Sequence, residues 1–227
     1  GEGVRETLNK ISKHLPNLAL KSVPSQTQVF DWTVPQEWAV REAYIITPSG
    51  EKICDFSENN LHLLGYSIPF SGELTLDELK KHLYTLPEQP EAILFVTSYY
   101  KKRWGFSLTQ NQFNSLEDGI YKVMIDTKLF DGELNYAELL IPGKSEKEIF
   151  LSTYICHPSM ANNELSGIAV TTFLAKWLSS IKTLEYSYRI IFIPETIGSI
   201  TFLSMNHVEM KKKIFAGFNV TCVGDNR

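Results

Sequence analysis

Two hydrophobic rhythms run along this chain. Val4, Leu8, Ile11 and Leu15 recur at helical spacing, Glu6 pairs with Lys10 one turn on, and Pro16 ends the run. Leu18 to Val23 and Thr27 to Trp32 are β-like and are separated by Pro24-Ser25. Ala43 to Thr47 and Lys52 to Phe56 predict a hairpin through Pro48-Ser49-Gly50. Thr75 and Glu78 form a capping box ahead of an amphipathic face of Leu76, Leu79 and Leu83, which Pro87 and Pro90 stop. Ala92 to Thr97 is a continuous apolar run that predicts a buried strand. Ile120 to Ile125 is β-like, and Asp131-Gly132 turns the chain into Leu134 to Ile141.

After Pro142-Gly143-Lys144 the pattern changes. It predicts strand 149–155, helix 165–181, strand 188–193, helix 197–212 and strand 216–223. Strands alternating with helices of this length imply a parallel or mostly parallel sheet. The N-terminal helix and strands group with this later part. The expected organisation is an α/β domain from residues 1–35 and 141–227, interrupted by a β-rich α+β insertion over 36–140. The chain opens on Gly1-Glu2-Gly3 without Met and stops at Gly224-Asp225-Asn226-Arg227, directly after a strand-like run. The expectation is a fragment of a longer protein, with the C-terminal part of the fold absent.

Composition narrows the function classes. The chain has 227 residues, 43% of them hydrophobic and 21% charged, with a net charge of −4, which suits a globular protein and offers no broad basic face for nucleic acid. The clusters Lys101-Lys102-Arg103 and Lys211-Lys212-Lys213 read as solvated faces. Tyr99, Tyr100 and Trp104 beside the first cluster read either as packing or as the lining of a sugar or peptide cleft. Three cysteines, Cys54, Cys156 and Cys222, show no zinc-knuckle or redox spacing and suit a reducing, cytoplasmic setting. No apolar run approaches the roughly 18 residues of a membrane span.

The candidate chemistry follows apolar strands. His157 stands just past strand 149–155, and neutral imidazole at a strand end can hold zinc; alone it reads more readily as a hydrogen-bonded loop residue. Asn162, Asn163 and Glu164 lie at the strand-to-helix transition before Ser166-Gly167, and capping accounts for one of them, not three. Glu195 follows the run Tyr188 to Pro194 and reads as a general base or ligand, or as an acid at a helix N-terminus. Asp225 follows the last strand and reads as a ligand or a turn residue. Phosphate loops, dinucleotide fingerprints and nucleophile elbows are absent from the sequence.

At these residues the sequence resembles bacterial aminopeptidase-like proteins of the zinc aminopeptidase and glutamate-carboxypeptidase superfamily. The likeness is to a branch with a small inserted domain, often linked with polysaccharide-biosynthesis gene clusters. It rests on Gly3 to Leu8, Val29-Phe30-Asp31-Trp32, Asn60-Leu61-His62, Trp104-Gly105-Phe106, Tyr154 to Gly167, Pro194-Glu195-Thr196-Ile197-Gly198-Ser199 and Thr221 to Asp225. It implies a three-layer αβα sandwich around a mixed sheet, with one or two zinc ions and a Glu that activates water. His157 matches the first ligand, Asn163 falls on the bridging Asp, Glu195 falls in a Glu-Glu pair as the base, and the later Asp falls on Thr221 or Asp225. Because the Asn163 amide is neutral, one zinc ion is expected rather than two, with Glu164 as a substitute oxygen donor. The resemblance implies a hydrolase acting on a small peptide or an amide-bearing sugar. A non-catalytic scaffold in polysaccharide biosynthesis is the alternative, and a homo-oligomer stays open.

Overall fold

The computed structural model describes residues 1–224, which form two compact units. The larger comprises Gly1–Glu37 and the chain from Asp131 onward; the smaller is Trp38–Phe130.

A five-stranded mixed sheet is the frame of the larger unit. Its strands are β1 (Ala19–Pro24), β2 (Glu133–Ile141), β3 (Ser145–Tyr154), β4 (Tyr186–Ile193) and β5 (Ile214–Asn219), in the order β1-β2-β4-β3-β5. β1 and β2 pair antiparallel, as do β2 and β4, whereas β3 runs parallel to both β4 and β5. Alternation along each strand splits the apolar residues between two faces. Ala137, Leu139, Ile141, Leu151, Ile190 and Phe192 meet Leu8 and Ile11 of α1 (Glu2–Ser12) and Ile168, Ala175 and Leu178 of α2 (Ser166–Ser180). Leu134, Tyr136, Ile191 and Ile193 meet Phe202 of α3 (Ile197–Lys213). Helices therefore cover both faces, and the unit is an αβα sandwich on a mixed sheet.

The smaller unit is a four-stranded sheet in the order Lys52–Ile53, Glu37–Ile46, Ile120–Phe130, Phe70–Thr75. Its core joins Ala43, Ile45, Tyr121, Val123 and Ile125 to Leu76 and Leu79 of the capped helix Leu76–Lys80. Trp104 stacks between Phe70 and His82, with ring centroids 4.2 and 3.7 Å away.

Several local expectations change; Leu83, for one, lies past the helix Leu76–Lys80 in a short strand, Leu83–Tyr84. Leu134 to Leu140, placed by sequence in the insertion, belongs to β2 within the larger sheet. Ala92 to Thr97 is not a strand; it touches the 64–68 loop at one bridge, where Gly65 N–H donates to the Val96 carbonyl at 2.9 Å and Ser98 N–H to the Gly65 carbonyl at 2.9 Å. Thr27 to Trp32 is broken by Phe30 at φ 51° into two-residue strands, Gln28–Val29 and Trp32–Thr33.

Candidate metal centre

Three neighbouring strands deliver the site. β3 lies between β4 and β5, with Tyr154 in register with Ile193 and Ser152 with Asn219. The loops after these strands begin side by side, which is where ligands gather in open α/β sheets. After β3 the chain passes Cys156 and His157, then makes one π-helical turn, Ala161–Leu165, in which Leu165 N–H reaches the Met160 carbonyl at 3.3 Å. After β4 come Pro194 and Glu195, and Thr196 turns the chain into α3.

Close packing at both helix starts depends on glycine. A Cβ on Gly167 would lie 2.3 Å from the Val220 carbonyl oxygen and 2.7 Å from Thr153 Oγ1. One on Gly198 would lie 2.6 Å from Ile193 Cγ1. The loops are also strained. Of the seven non-glycine residues with positive φ among the described residues, Ser159 (55°), Thr196 (55°) and Cys222 (50°) stand in these three loops. A β-branched residue in that conformation costs of order 1–3 kcal/mol, and such strain concentrates at functional sites.

His157 is held by two polar residues of the π turn, Asn163 and Glu164. Its backbone N–H donates to Glu164 Oε2 at 2.9 Å, and its Nδ1 lies 2.9 Å from Asn163 Oδ1 and 3.5 Å from Glu164 Oε2. On the far side of the ring, Nε2 is 3.0 Å from Glu195 Oε2. The Tyr154 ring meets the imidazole edge-on with centroids 5.0 Å apart, and its hydroxyl donates to Asn163 Oδ1 at 3.1 Å. The Thr221 hydroxyl reaches Tyr154 Oη and the Asn163 carbonyl oxygen. Cys156 Sγ accepts the Glu195 N–H at 3.2 Å.

Burial sets the electrostatics. Glu164 is 5% exposed, and burial pushes its carboxyl up to about 7; the backbone N–H groups of His157 and Cys156 pull the other way, and the Glu195 charge adds to the rise. Burial likewise pushes the Cys156 thiol up to about 12 and raises the Tyr154 hydroxyl. Donor atoms of Cys156, His157 and Glu164 lie within 4.8 Å of one another, a group able to hold a metal ion among the described residues.

The fold thus brings together His157, Asn163, Glu164 and Glu195. Asp225 lies outside the described residues. Cys156 and Tyr154, which the sequence did not single out as site residues, also border the site; their positions next to His157 and at the tip of β3 were the available signals. In the smaller unit, Trp104 is buried in its stack while Tyr100 is 62% exposed. No helix among the described residues is long and apolar enough to cross a membrane.

Comparison with known proteins places this arrangement. A Clostridium acetobutylicum protein, provisionally named for polysaccharide biosynthesis with an aminopeptidase-like domain, is 55% identical over 225 residues, 99% of this chain and 51% of that protein. A crystal structure from Clostridium acetobutylicum, provisionally named a peptidase, superposes with a TM-score of 0.93 at 54% identity, over 100% of this chain and 53% of that one. The chain therefore spans about half the length of the relatives it matches. A zinc aminopeptidase from Bacillus subtilis superposes with a TM-score of 0.61 at 10% identity, over 98% of this chain and 63% of that one, which is a likeness of fold. The model of a domain of unknown function, DUF4910, matches residues 1–227, so the chain belongs to that family.

Proposed function

We propose that this chain carries part of the site of a zinc-dependent, aminopeptidase-type hydrolase. Its substrate is a small peptide or an amide-bearing sugar, the latter in keeping with the name of the Clostridium acetobutylicum relative. The observation that carries the reading is the pairing of His157 Nε2 with Glu195 Oε2 at 3.0 Å across two adjacent strand ends. Glu195 is half-exposed and His157 nearly buried, so a carboxylate faces solvent over an anchored imidazole.

The donor set fits one ion. Cys156, His157 and Glu164 offer donor atoms within 4.8 Å of one another, and Asp225 is a further donor in the sequence. Two ions do not fit as well, since the Asn163 amide is neutral and its oxygen already meets His157 Nδ1 and the Tyr154 hydroxyl. Zinc in such a centre acidifies a bound water and polarises a carbonyl. In this reading Glu195 takes the proton of the attacking water. His157 is kept in place by Glu164, and the Cys156 sulfur orients the Glu195 backbone.

A second reading, a non-catalytic scaffold in polysaccharide biosynthesis, is favoured by the same neutral Asn163, which leaves the polar groups around His157 satisfied by one another. Metal analysis separates the two. The hydrolase reading expects about one zinc per chain, lost in His157→Ala. It expects Glu195→Gln to keep the zinc and to lose at least about 100-fold in hydrolysis of aminoacyl arylamides, the scale of a general base. Less than half an equivalent of zinc, unchanged by His157→Ala, would leave the scaffold reading.

A further inference from the structure

We propose that the cavity beside Glu195 is a sugar pocket: it takes the ring of an N-acylated amino sugar and presents that sugar's amide to Glu195, which selects the amide-bearing sugar over a peptide as the substrate.

Strand register places the pocket. Phe150 and Ser152 of β3 pair with Gly217 and Asn219 of β5, and residues two apart on a strand share a face. These two pairs, with Ser199 in the first turn of α3, line a cavity of about 280 Å3 that reaches Tyr154 and Glu195 at the strand tips. There Glu195 Oε2 lies 3.0 Å from His157 Nε2, so the cavity and the candidate metal centre share a wall. From Phe150 to Tyr154 the strand runs roughly 13 Å at about 3.3 Å per residue. The volume is at the small end of ligand sites, with room for one ring and its substituent rather than a longer chain.

The lining decides the ligand. The hydroxyls of Ser152 and Ser199 and the amide of Asn219 make no hydrogen bond within the described residues. Each can both donate and accept, as sugar hydroxyls do. Phe150 and Ile193 supply an apolar wall for the C–H face of a ring. Among the described residues, Glu195 and Tyr154 are the only ionisable groups in the lining. A peptide with a free N-terminus brings an ammonium, which donates without accepting and seeks a carboxylate. The one carboxylate here is the group that the hydrolase reading needs as base, and an ammonium paired with it would hold it from the water. A neutral acylamido sugar leaves it free. Hydrolysis then joins the water oxygen to the acyl carbon and breaks the C–N bond. The proton taken by Glu195 passes to the departing nitrogen, leaving an amino sugar and a carboxylic acid.

The inference rests on the hydrolase reading for the fate of the amide but not for the binding, so binding by the metal-free full chain is the test. N-acetylglucosamine and leucinamide are titrated separately into 15N-labelled protein and followed by NMR. N-acetylglucosamine is expected to shift the backbone amides of Ser152, Gly217 and Asn219, and leucinamide to leave them in place. Gly217→Leu sets a side chain beside Phe150, where a Cβ meets only ordinary contacts at 3.7 Å. It is expected to weaken sugar binding at least tenfold with thermal unfolding unchanged. Asn219→Leu removes an amide that the described fold does not use, and is expected to weaken binding about three- to tenfold, the scale of one hydrogen bond. Sugar shifts that miss these amides, unaltered affinity in either variant, or leucinamide occupying the same amides overturns the proposal. Zinc content and aminoacyl arylamide hydrolysis are measured on the parent. Absence of zinc would remove the hydrolase reading while the titration still decides the pocket. Zinc-dependent hydrolysis without sugar binding would keep the hydrolase and remove the pocket.

Discussion

Single carboxylates in this chain do different work according to what surrounds them. Glu164 is buried against two backbone N–H groups and rises, while Asp55 falls to about 2 from an ordinary 3.8. The largest cause at Asp55 is the Lys52 ammonium, followed by the Ser57 N–H at 2.9 Å. Because its folded value is depressed, Asp55 stabilises the smaller unit above pH 3.8, and that contribution is lost as pH falls through about 2. Asp55→Asn should therefore cost on the order of 1–2 kcal/mol at pH 7 and nothing near pH 2, measured by urea titration at the two values. An equal cost at both would refute the pairing. None of this is legible at the residue level in sequence, where Glu164 and Asp55 are two acids among 26 Asp and Glu.

At the scale of elements, glycine decides how closely a helix start can follow a strand end. Gly167 and Gly198 stand in the first turns of α2 and α3, and the structure gives both a steric reason. Gly167→Ala would force Cβ to within 2.3 Å of the Val220 carbonyl oxygen and so push α2 from β5. It should destabilise by roughly 2 kcal/mol or more, as overpacking does. Gly3→Ala in α1, where nothing lies within 4 Å, should instead stabilise by about 0.5–1 kcal/mol. Thermal unfolding of the two variants tests this, and shifts of the same sign would contradict it. Elements with a strong local signal were readable, among them α1, the capping box at Thr75 and Glu78, α2 and α3. Ala92 to Thr97 was misread because an apolar run does not say whether a partner strand is available to it.

At the scale of the larger unit, a charge network crosses the face of the sheet that α3 covers. Arg189 on β4 makes a two-pronged bond to Glu148 on β3, at 2.6 and 2.9 Å, bonds Glu138 on β2, and lies 3.5 Å from Glu209 on α3. Lys21 on β1 bonds the other oxygen of Glu138. Side-chain exposures of 12% for Arg189, 4% for Glu148 and 9% for Glu138 mean that removing the cation strands the buried Glu148 and leaves Glu138 with Lys21 alone. Arg189→Met should cost about 3–5 kcal/mol, with Glu148→Leu in the same chain recovering part of it. A double variant no more stable than the single would show the network to be dispensable. The sequence by itself determined the alternation of strands and helices, the insertion of a second unit, and the polar residues at strand tips, because periodicity and turn chemistry are local. Tertiary structure alone decided that β2 completes the sheet from beyond the insertion. It alone decided that Arg189 and Lys21 pair with Glu138 and Glu148, and that Asn163 faces the Nδ1 side of His157 while Glu195 faces Nε2. Each of these depends on which strands become neighbours, and register between distant segments is set by burial and hydrogen bonding across the whole sheet.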